Sequence, residues 1–291
     1  MADVYQKGSV RLWYPAGMVS TIDLHSHSTA SDGTLSPSAL IARARAQGVR
    51  RLALTDHDTV AGLEEAAAAA HREGIELIPG IELSTVWSER TMHVVGLGID
   101  PQAPPLRTLL AKLDALREAR ARRIGERLAA CGIVGAYERA RELAGAALPT
   151  RTHFARVLVE RGKAASVGDV FKRYLVPGKP GYVRSEWPPL DEVVAAIEAS
   201  GGIAVLAHPH SQNWTGAWSR RILEAFIAAG GRAVEVVCGN STRDSILVWG
   251  GHARRYGLLA SVGSDFHEPG GWIELGRLAE LPADLKPVWE G

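Results

Sequence analysis

The stretch Thr21-Ile22-Asp23-Leu24-His25-Ser26-His27 opens with a short apolar run and ends on two imidazoles spaced two residues apart. In extended backbone, residues i and i+2 face the same side. The spacing therefore predicts His25 and His27 side by side at a strand end. The form recurs along the chain. Residues 51–54 lead into Thr55-Asp56-His57-Asp58-Thr59, and residues 77–83 carry Glu82 in Gly80-Ile81-Glu82. His93 opens the apolar run 93–99. The run 203–207 is followed by His208 in Ala207-His208-Pro209, and 258–262 leads into Gly263-Ser264-Asp265-Phe266-His267. Asp32 follows the first strand in Ala30-Ser31-Asp32-Gly33.

Between these runs the pattern is helical. Ser36-Pro37 is a cap followed by a first-turn proline, with Gly48 as the stop. A helix over 63–72 stops at Gly74, and helices over 190–199, 220–229 and 245–256 alternate with strands over 203–207, 233–237 and 258–262. Such strand–helix alternation implies a parallel sheet, open or closed. The rhythm breaks at Asp100-Pro101, after which 106–130 reads as one long helix and helical patterns continue to about 174. The expected organisation is an N-terminal extension over 1–20, a β/α unit over 21–100 and 181–291, and a helical insertion over 101–180.

Composition narrows the function. With 33 basic and 32 acidic side chains the formal net charge is +1, so no global field selects duplex DNA or an anionic membrane. Two distant cysteines, Cys131 and Cys238, form neither a disulfide framework nor a CxxC metal pattern, which suits a reducing compartment. With no signal-peptide pattern and no apolar run of about 18 to 20 residues, the expected location is the cytoplasm.

Nine residues then stand out: His25, His27, Asp32, His57, Glu82, His93, His208, Asp265 and His267. Strand ends of a β/α barrel meet at one face. Burying so many ionisable groups together is costly without counter-charge, and divalent metal supplies it. His71 and His252, on predicted helices, read as ordinary residues. Asp56 and Asp58 flank His57, where they either orient its ring or cap the strand end.

As a set, and in this order, the motifs at 23–27, 55–59, 80–82, 207–209 and 263–267 resemble those of the polymerase and histidinol phosphatase (PHP) domain. The resemblance runs from about Thr21 to His267. It implies an α/β fold, a distorted (β/α)7 barrel of PHP type with a small helical insertion domain, and two or three divalent metals at its C-terminal rim. One departure is Asp32, where many members carry histidine. The segments Arg151-Thr152-His153-Phe154-Ala155-Arg156 and Gly178-Lys179-Pro180-Gly181-Tyr182-Val183 are similar to those of stand-alone bacterial members that act on 3′,5′-nucleoside bisphosphates or trim the 5′ end of short RNA. By that resemblance His25, His27, Glu82 and Asp265 hold one metal. Glu82 bridges to a second, completed by His93 and His208, and Asp32, His57 and His267 hold a third.

Mixed imidazole and carboxylate donors suit Mn²⁺, with Zn²⁺ or Fe²⁺ as alternatives, better than Ca²⁺. Paired metals hold a hydroxide for in-line attack on phosphorus, so the expected nucleophile is metal-bound hydroxide and no covalent one is needed. The insertion supplies cations. Leu106, Leu110, Leu113, Arg117, Arg120, Ile124 and Leu128 share one helical face. Arg117 and Arg120 thus interrupt an apolar stripe, either snorkelling at its edge or clamping a second phosphate. Arg151 and Thr152, at a predicted helix start, extend that candidate substrate site, with the insertion as its cap. Trp214 and Trp218 are weaker candidates for stacking a base.

The expected activity is hydrolysis of the 3′-phosphate of a 3′,5′-nucleoside bisphosphate, giving the 5′-monophosphate. The expected partners are a small nucleotide or a short RNA 5′ end, with no duplex DNA and no membrane. The alternatives are 5′-3′ exoribonuclease action on short RNA, histidinol-phosphate phosphatase activity, and a metal-holding scaffold that binds a partner protein.

Overall fold

The structure is a computed structural model that describes residues 20–212 and 214–290; the expected extension, apart from Ser20, lies outside the described residues. The first half runs β1 (Ile22–Asp23), α1 (Pro37–Ala46), β2 (Arg51–Leu54), α2 (Leu63–Glu73), β3 (Glu76–Trp87) and β4 (Arg90–Leu97). Four helices follow: α3 (Pro104–Ala130), α4 (Ala136–Ala144), α5 (Arg151–Glu160) and α6 (Val167–Val170), the last running into a π-helical turn at Phe171–Leu175. Then come α7 (Leu190–Ala199), β5 (Ile203–Leu206), α8 (Gly216–Ala228), β6 (Ala233–Cys238), α9 (Arg243–Tyr256) and β7 (Leu259–Gly263).

Local chemistry sets these boundaries. Ser36 accepts from the Ala39 amide at 3.2 Å to cap α1, and Gly74 ends α2 in a left-handed conformation at φ 65°.

The seven strands form one sheet in the order β1-β2-β3-β4-β5-β6-β7. Its ends are stitched together by Leu24 N–H donating to the Val262 carbonyl at 3.0 Å and Asp265 N–H to the His25 carbonyl at 2.9 Å. The expected α/β barrel of seven strands is therefore present and nearly closed. It is not all-parallel, however. β4 pairs antiparallel with both β3 and β5. Ser88 and Glu89, at φ 47° and 65°, turn the chain straight back in a two-residue hairpin. Because β4 runs the other way, His93 near its start comes to the same rim as the residues that follow β1, β2, β5 and β7.

Among the described residues, three apolar clusters hold the fold together. The largest lies between the strands and the surrounding helices and includes Leu40, Leu52, Leu83, Val194 and Phe226. A small one fills the barrel interior with Leu24, Ala53, Val95, Val205 and Ala233. The third, built on Phe154, Leu158 and Leu175, belongs to the inserted helices. α3 joins two of them: Leu106, Leu109, Leu110 and Leu113 pack in the barrel cluster, and Ala121, Ile124 and Leu128 in the insertion cluster. Between these halves, Arg117 and Arg120 reach the barrel rim.

Candidate active site

The barrel brings the nine candidate residues to one rim. Glu82, fully buried in β3, is the hub. Its Oε2 lies 3.3 Å from His25 Nε2, 3.3 Å from His27 Nε2 and 2.9 Å from His57 Nδ1. Its Oε1 lies 3.0 Å from His93 Nδ1 and 2.8 Å from His208 Nε2. Asp265 Oδ1 is 3.2 Å from His27 Nε2, and Asp32 Oδ1 is 3.4 Å from His267 Nε2.

Among the described residues, donor atoms within 4.8 Å of one another form three groups: His25 with His27, Glu82 and Asp265; His57 with Glu82 and His93; and His27 with Asp32, His57 and His267. Distance therefore places His57 beside both Glu82 and Asp32, and His27 in two groups. His208 lies just outside the second group, on Glu82 and 3.4 Å from His93 Nδ1.

The rim fits divalent metal. His25 Nε2, both ring nitrogens of His27, Asp32 Oδ1, His57 Nδ1 and Glu82 Oε2 are buried without a hydrogen-bond partner. Each such atom costs about 1–3 kcal/mol when left without a partner, and all but one nitrogen of His27 lie together at the rim. Burial, reinforced by repulsion from His267 and His57, lowers His27 to about 3, which leaves it neutral with a free lone pair. Burial also opposes charge on His208 and His267. The hydrogen bond and charge of Glu82 nevertheless raise His208 to about 9, and Asp32, with Asp265, raises His267 to about 10. Carboxylates that draw protons onto their neighbours in this way offer the counter-charge a divalent cation would meet.

Backbone geometry at the rim is unusual. His208 (φ 27°) and Asp265 (φ 59°) occupy the left-handed region, where non-glycine residues are strained. Gly263 lets the barrel close: a Cβ there would come within 2.3 Å of His25 Cβ.

Three residues outside the nine support them. Glu235 in β6 is buried, and its Oε1 lies 2.8 Å from His25 Nδ1, which orients that ring; its other oxygen accepts from the His208 amide at 2.5 Å. A carboxylate inside the otherwise apolar Ala233–Cys238 strand was the signal available for it. Thr150 Oγ1 donates to Asp32 Oδ2 at 3.0 Å, and His153 accepts the Thr150 amide through Nδ1, also at 3.0 Å. Asp56 and Asp58 do not orient His57. Asp56 accepts from Ser28 and Ser31 and pins the β1–α1 loop, and Asp58 accepts from the Ser84 amide and pairs with Arg117 at 2.5 Å.

The four candidate substrate residues gather beside the cluster. Arg117, Arg120, Arg151 and Thr152 line a cavity of about 70 Å³ with Asp32, His57 and His93. Arg117 is neutralised by Asp58. Arg120 and Arg151 have no carboxylate partner among the described residues: Arg120 reaches only the Val183 carbonyl, at 3.4 Å, and stacks over Trp187, and Arg151 lies over Phe171. Burial, then repulsion from Arg151 and Arg117, lowers Arg120 to about 9. The cavity is short of negative charge.

The two candidate stacking tryptophans lie elsewhere. Trp214 packs on the barrel cluster against Trp249, and Trp218 sits against Trp87 between Arg90 and Arg221.

Residues 23–148 match the PHP domain. A 5′-3′ exoribonuclease of Haemophilus influenzae is 48% identical over 273 residues, 94% of this chain and 99% of the relative. The chain belongs to the PHP family. A 3′,5′-nucleoside bisphosphate phosphatase of Chromobacterium violaceum is 45% identical over 93% of this chain and 96% of its own. The solved structure of a candidate metal-dependent phosphoesterase from Bifidobacterium adolescentis superposes with a TM-score of 0.79 at 27% identity, covering 92% of this chain and 93% of that one. Rim geometry and relatives agree on a metal-dependent phosphoesterase. Among the described residues no helix is long and apolar enough to cross a membrane.

Proposed function

We propose that the chain hydrolyses the O3′–P bond of a 5′-phosphorylated nucleotide, removing the 3′-phosphate of a 3′,5′-nucleoside bisphosphate to give the 5′-monophosphate. The observation that carries this reading is the cavity in which Arg120 and Arg151, without carboxylate partners, adjoin Asp32, His57 and His93. A substrate with one phosphate at the rim and a second in that cavity satisfies both. Histidinol phosphate, with a single phosphate, leaves the two guanidiniums uncompensated. A non-catalytic scaffold has no use for the cavity.

His25, His27, Glu82 and Asp265 would hold one ion, Glu82 with His93 and His208 a second, and Asp32, His57 and His267 a third. Mn²⁺ is the favoured metal. Bound ions of this kind polarise phosphoryl oxygens and make water a competent nucleophile near neutral pH.

The chain's own side chains set the substrate's place. Arg120 and Arg151 bind the 5′-phosphate. The Thr152 hydroxyl, in the first turn of α5, adds a donor at the positive end of that helix. Trp187 and Phe171 back the guanidiniums and limit water around them. Glu235 and Thr150 keep His25 and Asp32 aimed at the rim. No side chain is assigned as a covalent nucleophile.

The same binding mode accommodates the second reading, 5′-3′ exoribonuclease action on short RNA. With the 5′-phosphate in the arginine cavity, the bond presented to the rim is again O3′–P of the first nucleotide, and the leaving fragment is the rest of the strand. The test is turnover of adenosine 3′,5′-bisphosphate with added Mn²⁺. AMP and inorganic phosphate are expected; release of adenosine 3′-phosphate, or no turnover, overturns the reading.

A further inference from the structure

The tip of the β3–β4 hairpin stands beyond the metal rim. Trp87 and Arg90, the last paired residues of the two strands, flank its turn. Trp87 lies five residues past Glu82, and Arg90 three residues before His93. At about 3.3 Å per residue, the tip is on the order of 10–17 Å out from those two rim residues.

Helix α8 packs against this tip. Trp87 and Trp218 meet edge to face, 5.3 Å between ring centroids. The Arg90 guanidinium lies 4.5 Å from the Trp218 centroid, and that of Arg221 lies 5.1 Å from Trp218 and 5.7 Å from Trp87. Both arginines are exposed, and neither has a carboxylate partner among the described residues. An indole covers only the face of a guanidinium; the N–H groups lie in its plane and stay free to donate. Two positive charges held against one ring repel each other, and an anion that bridges them removes that cost. Because the rings already fix both side chains, little conformational freedom is lost on binding.

The surroundings are rich in cations as well. Across the turn, Glu89 pairs with Arg184 at 3.1 Å, and Arg184 lines a groove of about 510 Å³ with Arg123, Arg127, Lys179 and Tyr182. The carboxylate in that lining is Glu126. Arg127 bonds to the Pro180 carbonyl, and Lys179 has no carboxylate partner among the described residues. Spaced cations interleaved with aromatic rings suit a single-stranded nucleic acid better than one isolated phosphate.

We infer that the hairpin tip, with Arg90 and Arg221 stacked on Trp218, is a binding site for the phosphodiester backbone of an RNA strand beyond its first nucleotide. This rests on the exoribonuclease reading above and deepens it. With O3′–P of the first nucleotide at the rim, the rest of the strand leaves past His93 and His208, and its phosphates reach Arg90 and Arg221. A nucleoside bisphosphate ends at the rim and does not extend to the tip.

The test uses Mn²⁺-loaded protein and a fluorescent pentaribonucleotide with a 5′-phosphate and phosphorothioate linkages, which keep the charge and slow cleavage. Anisotropy gives its affinity, and competition gives that of adenosine 3′,5′-bisphosphate. The double variant Arg90→Ser with Arg221→Ser, both at exposed positions, is expected to bind the RNA at least about tenfold more weakly, the scale of one hydrogen bond between charged groups. Its plot of log affinity against log salt should be shallower by about 1.4, the value for two lost single-strand phosphate contacts. Its affinity for the bisphosphate should not change. Unaltered RNA affinity or salt slope in the folded double variant overturns the site, as do equal losses on the two ligands. So does an unaltered protein that binds the RNA no more tightly than the bisphosphate. Shortening of unmodified RNA, measured separately, reports on the exoribonuclease reading: its absence with the RNA preference intact removes that activity and leaves the site standing.

Discussion

Glu235 shows how a single buried side chain controls a site it does not line. It fixes the ring of His25 through one oxygen and the backbone of His208 through the other. Glu235→Gln is expected to lower divalent-metal affinity by roughly tenfold to hundredfold, as loss of a carboxylate behind a ligating imidazole generally does. Titration of the chelated protein with Mn²⁺ checks this, and unaltered affinity would remove the orienting role. On the proposed reading, Arg120 binds the second phosphate of the substrate. Its loss should reduce kcat/KM for adenosine 3′,5′-bisphosphate by about tenfold to hundredfold, and far less for adenosine 3′-phosphate, because only the first places a second phosphate beside it. Equal losses on the two substrates would refute the clamp. Spacing puts Arg117 and Arg120 on one helical face, either snorkelling or clamping a phosphate. What spacing could not reveal is that Asp58, 59 residues away, already pairs with it. Arg117→Ala leaves that carboxylate buried and unpaired, at a cost of about 3–5 kcal/mol, measurable by denaturant unfolding.

The elements with strong local signals were legible from the chain. Helices α1, α2 and α7 and strands β2, β5 and β6 lie where caps, glycine stops and apolar runs put them, to within two residues. The β3–β4 hairpin is legible in sequence as two strands, but the direction of the second is not. Two-residue hairpin turns usually carry Asn-Gly or Asp-Gly, and here Ser88-Glu89 occupies the left-handed positions without glycine. Glu89→Gly is therefore expected to stabilise the protein by about 1 kcal/mol. The exposed pair of Glu89 with Arg184 that it removes is a weak one. A shift of the denaturation midpoint to lower denaturant would contradict this account of the turn. Helix α3 was legible as a long helix, but one apolar stripe serving two clusters looks the same in sequence as a stripe serving one.

At the scale of the whole molecule, the metal rim and the fold are coupled, because the barrel closes through the backbone of His25 and Asp265 themselves. Metal that binds the folded rim stabilises it by about 2.7 kcal/mol at a hundredfold excess over Kd. Chelation should then lower Tm by roughly 5 °C or more, with recovery on adding Mn²⁺. Identical melting with and without chelator would mean that the unpartnered rim atoms do not hold metal. What the amino-acid sequence determined alone is the identity of the rim residues and the strand–helix rhythm that carries them. Both are local properties: a donor beside an apolar run, and a cap beside a periodic one. The tertiary structure alone decided the direction of β4, the grouping of donors around Glu82, the Asp58–Arg117 pair and the arginine cavity beside His57. Those depend on which distant segments face each other across the rim, and one-dimensional spacing does not encode that distance.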